Sequence, residues 1–145
     1  CIRDRSGLVY VVYLSGTWSS ARAGALSRRY GRGVVVLASA LLMLAGALAV
    51  AAPSLWVALA GLLVFTASFF ALHSTASGWV GLIAERDRAE ASSMYVFCYY
   101  MGSSILGAAT GWAYEGLPWA GFVAVLAVML GVLAVVSAAL WRGAR

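Results

Sequence analysis

Lysine, asparagine and glutamine do not occur in this 145-residue chain. Charged residues make up only 10% of it, where a soluble domain carries about 25%. So low a charge excludes a disordered tail and a nucleic-acid module, and it argues against an ordinary soluble enzyme. The two cysteines, Cys1 and Cys98, are too few for a disulfide scaffold and suggest no metal site. Proline occurs twice, at Pro53 and Pro118, so few points force a helix to stop.

What is present is apolar. Hydrophobic residues are 63% of the chain, and the mean hydropathy is +0.92. This composition predicts an all-α, polytopic membrane helix bundle. The net charge of +5, carried entirely by arginine on the basic side, then bears on orientation rather than on an anionic ligand.

A helix needs about 20 apolar residues to cross a bilayer. Residues 33–84 contain no Asp, Glu, Lys or Arg, which is too long for one crossing and fits two. Ala52-Pro53-Ser54 is the expected break, because proline lacks the backbone donor and disfavours helix before it. Spans are therefore expected over about 34–52 and 55–77. Residues 91–114 and 116–141 are likewise uncharged, giving further spans over about 91–113 and 118–141, joined by a turn around Tyr114 to Pro118. The first apolar run, about 7–20, is too short and reads as part of a truncated helix. Cys1 to Ser6 would put Arg3, Asp4 and Arg5 at membrane depth, which is costly; they are read as foreign to the native protein. The chain opens without methionine or a signal-peptide cleavage site, and a piece of a longer chain is expected.

The remaining arginines sort to one side. Arg22, Arg28, Arg29 and Arg32 precede the second apolar segment, Arg86 and Arg88 follow the third, and Arg142 and Arg145 follow the last. Alternating spans place all eight on one face, which the positive-inside rule makes cytoplasmic, together with the C-terminus. Trp56, Trp79, Trp112, Trp119 and Trp141 fall near expected helix ends, where interfacial aromatics belong.

The first arginine-rich loop reads Gly24-Ala25-Leu26-Ser27-Arg28-Arg29-Tyr30-Gly31-Arg32-Gly33. It resembles the cytoplasmic signature of the major facilitator superfamily, roughly G-x-L-[AS]-D-[RK]-[FY]-G-R-[RK]. Gly24, Leu26, Ser27, Arg29, Tyr30, Gly31 and Arg32 match; Arg28 replaces the usual Asp, and Gly33 a basic residue. That family carries the motif between helices 2 and 3 and a weaker copy between helices 8 and 9. If this is the second copy, the chain corresponds to helices 8–12, the C-terminal portion of a 12-helix transporter. Met94 to Ser104 also resembles helix 11 of efflux-type members of the drug:proton antiporter kind. The resemblance implies a secondary transporter of the plasma (inner) membrane that exports small organic molecules by alternating access. Its partners would be membrane lipid, a small-molecule substrate and the N-terminal helix bundle of the same chain. No cofactor, metal or nucleic acid is implied.

Four features are candidate sites, and each also has a purely structural reading. Ser103, Gly107 and Gly111 present a small face for close helix packing, or for sliding during alternating access. Tyr95, Tyr99 and Ser103 recur at helical spacing; they line a cavity, or their hydroxyls bond neighbouring helices. His73, the sole histidine, is either a proton-handling residue or a neutral side chain bonded to Ser74, Ser77 or a facing helix. Phe65, Phe69 and Phe70 are expected to pack or face lipid rather than form a substrate box. Arg86, Asp87 and Arg88 are expected in a solvated loop, with Glu90 favouring the start of the next helix and Ser92 a possible cap.

No Asp or Glu lies inside an expected span. A proton-coupling carboxylate is therefore either absent or outside these residues. Two other functions remain open at this level. One is a complete small membrane protein acting by oligomerisation, as a compact exporter or structural subunit. The other is an intramembrane serine protease pairing Ser104 with His73.

Overall fold

The computed structural model describes residues 2–143, with side chains from Tyr10 onward except 11 and 12. It consists of five α-helices: α1 (Ile2–Tyr30), α2 (Arg32–Val50), α3 (Leu55–Ile83), α4 (Arg88–Gly116) and α5 (Trp119–Gly143). No strand occurs among the described residues. Cys1, from the segment read as foreign, and Arg145, one of the arginines used for orientation, lie outside the described residues.

Both prolines mark helix breaks. Ala51 and Ala52 close α2 with bonds to Leu48 O and Ala49 O at 3.1 Å, and α3 starts at Leu55, two residues after Pro53. Leu117 and Pro118 separate α4 from α5, and the Pro118 carbonyl accepts from Phe122 N at 3.1 Å. The turn is shorter than expected, because Tyr114, Glu115 and Gly116 remain helical. The five tryptophans do fall near helix ends: Trp56 and Trp119 at the starts of α3 and α5, Trp79, Trp112 and Trp141 in the last turns of α3, α4 and α5.

Three boundaries differ from expectation. The arginine-rich segment is not a loop: α1 continues through Arg22, Arg28 and Arg29 to Tyr30. Ala, Leu, Arg and Ser do not oppose helix strongly, and Arg28 and Arg29 in its last turn complement the negative helix end. Only Gly31, at φ +87°, interrupts the chain, a left-handed conformation that glycine adopts without steric cost. The α3 and α4 helices also overrun their expected apolar limits, since no proline stops them. Finally, Asp87 and not Ser92 takes the N-cap position of α4; Ser92 lies inside the helix, while Glu90 does occupy its first turn.

Packing centres on α3, which contacts α1, α2 and α4, while α5 lies against α2. Where α2 crosses α3, Gly46 and Gly61 remove side chains from the seam, and backbones meet directly. Gly33 gives Trp141 room between α2 and α5 in the same way. On α1, Gly16 receives the ring of Phe70, which also meets Tyr13 edge-on at 5.9 Å. Ser19 donates to Ala67 O at 2.7 Å, tying α1 to α3.

Among the described residues, three helices, α2, α3 and α5, are long and apolar enough to cross a membrane. Four full spans were expected. The α4 helix has the length, at 29 residues, but its tyrosines, serines and glycines dilute its apolar content. It is also the least engaged helix: none of its residues is buried.

Candidate functional site

Helical spacing puts Tyr95, Tyr99 and Ser103 on one side of α4, and that side meets α3 at His73. The Tyr95 hydroxyl lies 3.0 Å from His73 Nδ1 and 3.4 Å from the carbonyl oxygen of the same residue. The Tyr99 ring sits 4.6 Å from the imidazole, tilted by 48°. Phe69, one turn before His73, stacks on it at 6.0 Å with planes only 14° apart. Three aromatic rings thus surround one imidazole, with a single hydroxyl addressing its Nδ1.

Next to this cluster a groove of about 460 Å³ opens between α3 and α4. Phe69 forms its α3 side; Cys98, Tyr99, Ser103, Gly107 and Thr110 belong to its α4 side. Thr110 turns its hydroxyl back to Gly107 O at 2.9 Å, so its polar group is already used. A Cβ at Gly107 or Gly111 would meet nothing within 4 Å. Among the described residues, the small face of Ser103, Gly107 and Gly111 therefore has no packing partner.

The sequence candidates are thus partly gathered. His73, Tyr95 and Tyr99 form one contact set, and Ser103 joins Tyr99 in the groove. Tyr100 meets Tyr99 edge-on at 5.3 Å but is mostly exposed. Ser74 and Ser77 bond to carbonyls of their own helix, at 3.4 and 3.2 Å, and not to His73. The expectation for the phenylalanines holds for Phe65 and Phe70, which pack on α2 and α1. Phe69 packs too, against the imidazole, because positions 69 and 73 are one turn apart on the α4-facing side. The protease pairing is not assembled: His73 is engaged by Tyr95 and makes no hydrogen bond to Ser104 among the described residues.

Directly beyond His73, toward the C-terminal end of α3, the arginine motif forms a second, polar cleft of about 270 Å³. Gly24, Ser27, Arg28 and Arg32 line it from α1 and α2, and Ser74, Thr75 and Gly78 from α3. Ser27 Oγ is 3.5 Å from Thr75 Oγ1, so the motif serine pins the end of α1 to α3. Arg29 lies over the Tyr30 ring at 5.3 Å, and Arg22 over Trp18 at 4.7 Å. Leu26 remains partly exposed. A third cleft, of about 470 Å³, borders Gly46 and Gly61; apart from Trp56 its lining is aliphatic or glycine and offers no chemistry.

Sequence reasoning missed the Gly46–Gly61 crossing and the role of Phe69. The first had a signal in the small residues Ala45, Gly46 and Ala49 facing Ala60 and Gly61; the second was legible only as spacing from His73.

Long apolar helices, an arginine-bearing end and a largely apolar, aromatic groove with a few hydroxyls between two of them define a multi-pass helical membrane protein. The chain is 50% identical over 136 residues to the inner membrane transport protein YnfM of Escherichia coli, matching 94% of this chain and 33% of that protein. It is 36% identical over 140 residues to the MFS-type transporter YybF of Bacillus subtilis, covering 97% of this chain and 35% of the relative. A transporter of Buchnera aphidicola, BU588, is 42% identical over 124 residues, 86% of this chain and 30% of its own. The chain belongs to the major facilitator superfamily of transporters. It spans about a third of the length of the curated relatives it matches. No family model matches it, and no solved structure does.

Proposed function

We propose that this chain forms helices 8–12 of a major facilitator exporter of small organic molecules, working by alternating access in the plasma (inner) membrane. In this reading α1 is helix 8, and α4 is helix 11 and a full span despite its tyrosines. A helix bordering a wetted cavity can carry polar residues that lipid would exclude. The arginine-bearing ends of α1, α2, α4 and α5 lie in the cytoplasm, together with the C-terminus.

One observation carries the reading. The groove of Phe69, Tyr99 and Ser103 opens along α4, the helix that buries nothing within this chain. Its free small face, at Gly107 and Gly111, suits close approach by the N-terminal helix bundle. Rocking of the two bundles would then open the groove alternately to either side. Tyr99 offers an aromatic face and a hydroxyl to an organic substrate, and Ser103 a second hydroxyl.

The test is transport by the intact transporter. Tyr99→Ala, with normal membrane insertion, is expected to cut efflux of a panel of organic dyes at least about tenfold, the loss of roughly 1.4 kcal/mol of differential binding. Unchanged efflux of every transported dye would remove Tyr99 from the substrate path.

A further inference from the structure

The arginines around the α1–α2 junction are of two kinds. Arg22 lies over the Trp18 ring at 4.7 Å and Arg29 over the Tyr30 ring at 5.3 Å, so each has a π-face as partner. Arg28 and Arg32 have no such partner. Among the described residues neither makes a hydrogen bond, an ion pair or a ring contact, and both line the same cleft of about 270 Å³. Arg28 stands where the resembled motif has Asp, so the cleft carries two cations and no carboxylate. Hydroxyls complete it. Thr75 is buried, and its Oγ1 is 3.5 Å from Ser27 Oγ. Each hydroxyl has one proton, and their contact uses only one of the two. No other hydrogen bond engages either side chain among the described residues. Two guanidinium forks beside a spare hydroxyl donor match the acceptor oxygens of one phosphate group.

Shared residues join this cleft to two others. Arg32 also lines an adjoining cleft of about 290 Å³ with Gly33, Trp79 and Trp141. Trp79 in turn lines a crevice of about 620 Å³ between α3 and α5, where Ile83, Val136, Ala139 and Leu140 make an apolar wall. Two arginines, two half-buried tryptophans and an apolar crevice thus follow one another from α1 to α5. They lie at the end of the bundle where α2 begins and α3 and α5 stop. In a bilayer that is the depth of the lipid headgroups. A free anion would use only the arginines. An amphiphile with an anionic head uses the whole series.

We propose that this end of the bundle binds an anionic phospholipid, with Arg28 and Arg32 holding its phosphodiester and the α3–α5 crevice taking an acyl chain. The assignment requires only that the helices cross a bilayer; it does not depend on the export reading. One phosphate held by both arginines would brace the α1–α2 junction at Gly31.

The test uses the intact transporter, purified in detergent and stripped of lipid. It is titrated with phosphatidylglycerol, phosphatidylcholine, inorganic phosphate and glycerophosphoglycerol, the deacylated headgroup. Native mass spectrometry reads bound lipid, and the unfolding midpoint responds to all four. Phosphatidylglycerol is expected to bind at least about tenfold tighter than phosphatidylcholine, since two arginines near the surface favour the anionic head. Arg28→Gln with Arg32→Gln should reduce that preference to less than about threefold. The charge-matched pair Arg86→Gln with Arg88→Gln, at the α3–α4 junction, should keep it within about twofold. All four side chains are exposed, and the midpoint without lipid verifies that both variants fold. Ala139→Trp fills the crevice without touching an arginine and should weaken phosphatidylglycerol binding at least about threefold. Equal affinity for the two lipids, or equal losses in the two arginine pairs, overturns the proposal by leaving only diffuse surface charge. Undiminished binding in Ala139→Trp overturns the placement of the acyl chain. A midpoint shift with inorganic phosphate or the deacylated headgroup as large as with phosphatidylglycerol overturns the lipid assignment and leaves a free-phosphate site.

Discussion

Gly46 and Gly61 stand back to back where α2 crosses α3. A Cβ on Gly46 would lie 2.8 Å from the Gly61 carbonyl oxygen, and one on Gly61 would lie 2.7 Å from that of Gly46. The atoms in the way are backbone and cannot swing aside. Gly61→Ala is therefore expected to lower stability by about 1–3 kcal/mol, the usual cost of overpacking a close seam. Thermal unfolding of the detergent-solubilised transporter measures it. An unchanged midpoint would mean that the two helices can separate without loss.

Gly24 and Gly31 of the arginine motif should behave in opposite ways. Gly31 has φ +87°, so any side chain there is strained, and Gly31→Ala should cost about 1–3 kcal/mol. Gly24 lies inside α1 with only the Arg28 guanidinium within 4 Å of a new Cβ, at 3.7 Å. Gly24→Ala should be neutral or gain up to about 1 kcal/mol from helix propensity. The same unfolding assay compares them, and equal losses would refute the distinction.

The proposed orientation rests on the arginines. Arg28 and Arg32 line one cleft at the α1–α2 junction, and Arg86 and Arg142 stand at the α3–α4 junction and the end of α5. A reporter fused to the C-terminus should be active only as a cytoplasmic fusion. A periplasmic reporter would reverse the orientation assigned to all five helices.

Helix breaks were legible wherever chemistry enforced them. Pro53 and Pro118 stop helices by removing a donor, whatever surrounds them. The end of α1 was not legible in the same way. Its arginines mark the end of the first apolar run, but charge does not unwind a helix, so residues 21–30 stay helical until Gly31. The shared face of Tyr95, Tyr99 and Ser103 was readable from spacing alone. That His73 meets this face was not, because the rotation of α3 about its axis is set by the Gly46–Gly61 crossing and by Ser19 bonding Ala67 O, both distant in sequence. The fate of the small face at Gly107 and Gly111 was equally hidden, since nothing among the described residues covers it.

The central claim is that the α3–α4 groove is a wetted transport path and not a lipid-facing crease. Single cysteines at Ser103 and at Val132, a largely exposed position on α5, test it in the intact transporter with Cys98 and any other cysteine replaced. A membrane-impermeant thiol reagent should label Ser103→Cys at least about tenfold faster than Val132→Cys, because thiolate forms readily only where water reaches. Equal, slow labelling at both positions would contradict the account and return the groove to lipid or to packing.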